Sequence, residues 1–343
     1  MPWTTRLRSG VFLLLAIVCL IASSAPLAAQ SDTLHVGEYT LSGPYTHDNL
    51  SVYLVHGKDK IKTKNMLTLA EAMRRKKIRV YETGTVNQLE VENVSSTQSI
   101  FIQAGEIVKG GRQDRTLGID LVLAPRSGRV PIAAYCVESG RWSRRGGESA
   151  QEFSSSEEQL VSRDLKLAAR YNKDQSKVWA NVKQSQDKLS EKVGERVNAN
   201  ESSSSLQLSL ENDRLRKKID EYVDGLRRLG VGNQNVVGCI FAINGDMNGA
   251  EVYASNDLFA RSWPKLLRAA SIEAVAEIDT VWTPTVAPVS AAKEFIAPAS
   301  GEGTASTQNI DANNQVITHD RDDAVAIESR ANETTVRKSW IRK

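Results

Sequence analysis

The chain has 343 residues, 41% of them hydrophobic, with 44 Lys and Arg against 41 Asp and Glu and a formal net charge of +3. A balance so near neutrality offers no basic field for nucleic acid or for an anionic membrane surface. The length is ample for one large core or two small ones.

Residues 1–29 read as a secretory signal peptide. Arg6 and Arg8 come first, an apolar run follows from Val11 to Ala22, and small residues follow that up to Ala29. The apolar run is shorter than the roughly 20 residues needed to span a bilayer as a helix. Cleavage after Ala29 removes both arginines and no acid, so +3 falls to +1. The mature chain is therefore expected to be exported, periplasmic or extracellular, with no membrane segment left after cleavage. Export permits a bond between Cys136 and Cys239. Both sit in apolar, strand-like runs, so two separately buried thiols are the favoured expectation.

From Leu34 to Val137 the pattern is strand-rich. Residues 50–55 alternate like a half-buried strand, and residues 67–77 have helical spacing. Strands return over 78–81, 89–94, 99–108, 116–123 and 130–138, separated by Gly- or Pro-containing turns. Residues 143–156 read as a polar surface connection. A helical region then opens at Ser156-Glu157-Glu158 with Leu160, Leu165, Ala168 and Tyr171 on its stripe. A second helix carries Val178, Trp179, Val182, Leu189 and Val193, and a third spans 210–229, ended by Gly230 and Gly232. Residues 236–243 read as a buried strand closed by the turn dipeptide Asn244-Gly245. The fourth helix spans 257–276, with Pro264 predicting a kink or two abutting helices. The predicted fold is α+β: an N-terminal strand-rich sheet, C-terminal helices packed on it, and one late buried strand. One such domain covers 33–282. The Pro-, Ala- and Ser-rich stretch 284–323 reads as a flexible loop, and 324–343 as a terminal hairpin.

The segment 104–117 concentrates polar chemistry between two apolar strands. Gly110 and Gly111 let the backbone turn its N–H groups to one side, which makes an anion-binding nest. Arg112 and Arg115 add forked donors for phosphate or carboxylate, with Gln113 between them. Gly105 and Gly110 have phosphate-loop spacing, but Gly111-Arg112 stands where Lys and then Ser/Thr is required, so this is no nucleotide-hydrolysis loop. A polar turn with a solvated charge run explains the same spacing. A second cluster, Glu138, Arg141 and Trp142, reads either as the rim of a ligand pocket or as a buried ion pair fixing a corner. Glu106 and Glu138 are the candidate carboxylates for acid–base work. His35, His47, His56 and His319 are scattered, so no metal site is expected, and no cofactor motif appears.

Several of these residues carry a resemblance. Gly105-Glu106, then Gly110-Gly111-Arg112-Gln113-x-Arg115-x-Leu117, Pro131-Ile132 and Cys136-Val137-Glu138-x-Gly140-Arg141-Trp142 follow in order. Ser176-x-Val178-Trp179, Ala242-Ile243-Asn244-Gly245 and Leu258-Phe259-x-x-x-Trp263-Pro264-Lys265-Leu266-Leu267 come later. Together, over about residues 35–280, they resemble the ARG and rhodanese-phosphatase-superfamily-associated protein domain. The resemblance implies an association with ADP-ribosylglycohydrolase and rhodanese-type proteins, and no settled activity. Two functions follow. One is a binding or structural module that presents the two corners to a small anionic ligand or a partner protein. The other is a hydrolase or transferase on a phosphate- or ribose-bearing substrate, with Glu106 or Glu138 as base and Arg112, Arg115 and Arg141 steadying negative charge.

Overall fold

The computed structural model describes residue 1 and residues 33–141, 143, 152–279, 285–297 and 304–343. The signal-peptide expectation therefore falls outside the described residues, Met1 apart. In chain order the elements are β1 (Leu34–Val36), β2 (Tyr39–His47), β3 (Leu50–His56), β4 (Met66–Thr68), α1 (Leu69–Arg74), β5 (Ile78–Glu82), β6 (Gln88–Asn93) and β7 (Ser99–Ile102). Next come β8 (Glu106–Gly110), β9 (Arg115–Leu117), β10 (Leu121–Leu123), β11 (Arg129–Cys136), β12 (Phe153–Gln159), α2 (Arg163–Lys166) and a π-helical turn (Leu167–Asn172). Then follow α3 (Gln175–Val193), α4 (Leu206–Leu210), α5 (Asp213–Leu226), a 3₁₀ turn (Arg227–Gly230), β13 (Val236–Ile243), β14 (Asp246–Tyr253) and α6 (Asn256–Glu277). The last are α7 (Val289–Ile296), β15 (Thr304–Asn309), β16 (Asn314–Asp320), β17 (Ala324–Ala331) and β18 (Thr334–Arg342). The fold is α+β with a strand-rich N-terminal part.

The strands form a nine-stranded sheet in the order β1-β2-β3-β13-β14-β18-β17-β16-β15, a six-stranded sheet β12-β8-β9-β11-β6-β5 and a three-stranded sheet β10-β7-β4. Alternation along β13 shows how the large sheet is covered. Val236, Cys239, Phe241 and Ile243 join the main core with residues of α3, α5 and α6. Val237, Ile240 and Ala242 face the other way, into a second core closed by Val289, Ala292, Phe295 and Ile296 of α7. Successive side chains on a strand point to opposite faces, so a strand covered on both sides reads as a continuous apolar run. A third core lies between the smaller sheets and includes Leu89, Ile100, Val108, Leu117 and Ile132.

Four local expectations change. Residues 50–55 are buried on both faces, because α7 covers the second one. The helix expected to open at Ser156 is instead β12, whose residues 153–155 pair with Val108–Gly110 and whose Gln159 pairs with Glu106. The helical segments begin only after Ser162, whose hydroxyl accepts from the Leu165 N–H. Residues 284–323 are not one loop where they are described: they hold α7, β15 and β16. Val289, Ala292, Phe295 and Ile296 sit at helical spacing and are buried, a stripe too short to stand out from the surrounding Ala/Pro/Ser composition. Of the two expectations at Pro264, the abutting helices are not found, because Asn256–Glu277 is one continuous helix.

A buried ionic knot fastens the loop after β9 to the large sheet. Arg337 of β18 donates through Nη1 to Asp120 Oδ1 at 2.7 Å and through Nε to Glu251 Oε2 at 2.9 Å. Asp120 also accepts from the Ala104 N–H and the Ser329 hydroxyl, both at 2.6 Å. Arg170, from the π-helical turn, donates to Ser339 at 2.9 Å, and Ser339 donates to Glu251 at 3.2 Å. Burial alone would raise the Asp120 pKa, but Arg337, Arg170 and these donors outweigh it and hold the carboxyl below its ordinary range.

Candidate functional site

The order β8-β9-β11 brings the two sequence clusters together. Gly110 (φ +119°) and Gly111 (φ +58°) turn the chain between β8 and β9. A Cβ on Gly110 would lie 2.7 Å from the Glu152 carbonyl oxygen, and one on Gly111 would lie 2.4 Å from Phe153 Cζ. Both positions thus demand glycine for conformation and for space. Glu138 follows β11 directly, and its carboxylate faces this turn.

The turn's donors are met from within. The Gly110 N–H donates to Asp114 Oδ1 at 3.0 Å, Gly111 to the Glu152 carbonyl at 3.2 Å, Arg112 to Glu82 Oε1 at 3.0 Å and Asp114 to Glu138 Oε2 at 3.4 Å. The expected nest exists as a shape, and the protein's own oxygens fill it. Arg115 is fully buried: Nη1 donates to Gln113 Oε1 at 3.0 Å and to Cys136 Sγ, and Nη2 lies 3.5 Å from Glu82. Gln113 and Trp179 both donate to the Glu138 carbonyl, at 3.1 and 3.2 Å.

Arg141 engages Glu138 twice. Its Nε donates to Oε1 at 2.7 Å. Its Nη2 lies 2.7 Å from Oε2, at an angle that makes it an ion pair rather than a second hydrogen bond. Asp114 is a further 3.7 Å partner. Burial would raise the Glu138 pKa, but the hydrogen bond from Arg141, its positive charge and the Asp114 N–H bring it below the ordinary value. Of the two readings of this cluster, the buried ion pair describes the geometry. Trp142 lies outside the described residues. Arg112 alone of the turn is exposed, and its guanidinium makes no hydrogen bond or ion pair among the described residues.

Glu106 does not join them. It opens β8, four residues before Gly110, or about 13 Å along an extended strand. Its Oε1 pairs with Lys265 Nζ at 2.8 Å and its Oε2 accepts from the Gln103 N–H at 3.1 Å. Gln103 is held in turn by Tyr253 and Gln159. The two candidate carboxylates therefore serve separate ion pairs. Sequence reasoning missed Glu82, Asp114, Gln175 and Ser205, which complete the corner. Gln175 both accepts from the Cys136 N–H and donates to its carbonyl, acting as one more rung beside β11. Asp114 carried the one available signal, an acid enclosed by Arg112 and Arg115.

Cys136 and Cys239 are free and buried. Burial, with Arg115 opposing, pushes the Cys136 thiol up to about 11, so at neutral pH it is no thiolate nucleophile. Among the described residues no group of three or more His, Cys, Asp or Glu is placed to hold a metal ion.

The model of the ARG and Rhodanese-Phosphatase-superfamily-associated Protein domain matches residues 38–341. The chain belongs to that family. The match runs past α6 through α7 and the last four strands, so the family domain includes the whole nine-stranded sheet apart from β1 and the last residue of β18. No curated protein and no solved structure matches the chain.

Proposed function

We propose that this member of the ARG and rhodanese-phosphatase-associated family is an exported binding or structural module, and that the 110–112 turn with the Glu138–Arg141 corner is its rigid partner-facing surface. The observation that carries this is the saturation of the corner. Both candidate carboxylates are spent on internal cations, and a carboxylate held below its ordinary pKa by Arg141 is a weak base at neutral pH. What the corner offers outward is Arg112, its backbone pinned by Glu82 and its guanidinium in solvent. A forked donor on a rigid turn suits a small anion or an acidic group on a partner protein.

A thermal-shift screen of the mature chain against phosphate, nucleotides and ADP-ribose tests it. Stabilisation by an anion that disappears in Arg112→Ala supports the surface, and no shift with any of these anions removes anion recognition from it. If Glu106→Gln and Glu138→Gln stay folded yet abolish turnover of a hit, the chain is a hydrolase or transferase instead. Export is tested by fractionating cells and sequencing the mature N-terminus, which should begin at Gln30.

A further inference from the structure

A hollow that shares no lining residue with the corner opens on the α7 side of the large sheet, with a volume of about 390 Å³. Its floor follows from strand register. Ala326 of β17 pairs with Trp340 of β18 on one side and with His319 of β16 on the other. Cross-strand partners share a face, so the three form one row. Ala326 is the small member between two rings, and the volume missing above it belongs to the hollow. The β1–β2 turn, through Gly37 and Glu38, walls it on one side, and Ile296 and Ala297 at the end of α7 wall it on another.

Trp340 is 8% exposed, yet its indole N–H makes no hydrogen bond among the described residues. Trp179 and Trp263 each donate theirs to a backbone carbonyl, of Glu138 and of Arg227, as a buried tryptophan ordinarily does. Nor is Trp340 Nε1 sealed from solvent, as the enclosed unpartnered atoms of the interior are. The open space that Trp340 lines is this hollow. An indole N–H can only donate, so what it lacks is an acceptor.

The charges around the hollow leave no acceptor free for it. Glu38 pairs with Lys60 at 2.5 Å. Glu328 accepts from Arg330 at 2.5 Å and from Thr335 at 2.6 Å, and lies 3.2 Å from Lys338 Nζ. Burial would raise the Glu328 pKa, but these partners bring it down to about 2. Asp323 partners the lining Arg321 and is met a second time by Arg342, at 2.9 Å. Two of the three acids thus have two cations each, and positive charge is in surplus. Lys338, two residues from Trp340 on the same face, has three N–H groups and only Glu328 within ion-pair distance among the described residues. An apolar hollow with unmatched donors fits a molecule with an apolar body and an anionic head that only accepts.

We propose that this hollow binds a small aromatic carboxylate, its head accepting from the Trp340 indole N–H and pairing with Lys338 while its rings lie over Ala326 against Tyr39. A dry cavity of about 150 Å³ accepts benzene, so the larger volume here holds two fused rings. A carboxylate supplies the missing acceptor and the missing negative charge together. A neutral alcohol supplies only the first, and an ammonium neither.

The probe is 2-naphthoate, titrated into the full mature chain, with 2-naphthalenemethanol and 2-naphthylmethylammonium as controls of the same shape. Amide resonances of residues 36–39, 326–328 and 338–340 should respond to naphthoate at concentrations at least tenfold lower than to either control. The Trp340 indole N–H resonance should move downfield as it gains its acceptor, a readout in the wild-type chain that needs no variant to fold. Trp340→Phe keeps a ring and removes the N–H, and should weaken binding at least fivefold. Ala326→Leu fills the hollow and should abolish binding. Equal binding of either control, an indole resonance that stays still, full affinity in Ala326→Leu, or no response to any of the three compounds would each overturn the site.

Discussion

Replacing Arg337 by Met tests how the large sheet is held to the loop after β9. The side chain is 2% exposed, and its guanidinium lies 2.7 Å from both Asp120 and Glu251. Met keeps most of the volume and removes the charge. Arg170 remains within electrostatic reach of both acids and compensates one of them. The other must either stay ionised in the interior or take up a proton. Protonation sets the ceiling on the cost: with an ordinary Asp pKa of about 3.9 and about 1.36 kcal/mol per pH unit, holding it neutral at pH 7 costs about 4 kcal/mol. That agrees with the roughly 3–5 kcal/mol found when one partner of a buried pair is removed. For a domain of this size it lowers Tm by about 8 °C.

The pH dependence follows from the same proton. In the variant the stranded carboxyl has a folded pKa above its unfolded one. Its penalty is therefore absent below about pH 4 and grows by about 1.36 kcal/mol per unit as pH rises. Urea unfolding of wild type and variant between pH 4 and 7 reads this directly. A difference under about 1 kcal/mol at pH 7, or one that does not shrink on acidification, would refute the ionic knot. Adding either Asp120→Asn or Glu251→Gln alone to Arg337→Met should recover most of the loss, because Arg170 still balances the acid that remains.

Other perturbations read other parts of the molecule. Glu138→Gln should cost about 2–3 kcal/mol in urea unfolding at pH 7, less than a full buried-pair loss because Asp114 remains 3.7 Å from Arg141. The wild-type Glu138 pKa is depressed, so its contribution is present above the ordinary carboxylate range and lost as pH falls through the folded value. The variant should accordingly show a flatter acid limb. Gly230→Ala places a Cβ 2.1 Å from Trp263 Cγ, where the ring stacks on Phe241. A loss of about 3 kcal/mol and an altered near-ultraviolet circular dichroism signal are expected. Cys136 should resist a thiol reagent at pH 8 in the folded chain and react at once in urea, as peptide mass spectrometry will show. Rapid labelling of the native state would contradict both its burial and its raised pKa of about 11.

How much of this was legible beforehand depended on whether the information was local. The strand-rich first half, α3, α5, α6 and β13 were readable because apolar periodicity is written within each segment. β12 was misread because Leu165, Ala168 and Tyr171 beyond it follow helical spacing and the reading was carried back over it, whereas its strand character comes from pairing with β8 some fifty residues earlier in the chain. Residues 289–296 were lost in an Ala/Pro/Ser composition, although their four buried side chains help close the second core. The meeting of Gln113 and Asp114 with Glu138 depends on β9 pairing with β11, which no local pattern names. The separation of Glu106 from them was equally hidden, since nothing nearby names Lys265 as its partner. The ionic knot was invisible because Asp120, Glu251 and Arg337 are isolated charges in three distant segments.

Strand β18 lies between β14 and β17, although everything from α6 to β17 separates it from β14 in the chain. As the polypeptide is synthesised, β14 therefore emerges with one flank of peptide groups unpaired, and it waits in that condition until residue 334 and its successors arrive. During that interval Asp120 and Glu251 also lack Arg337. A premature stop codon or a protease cut between residues 334 and 337 would make that temporary state permanent, leaving a sticky strand beside two stranded acids.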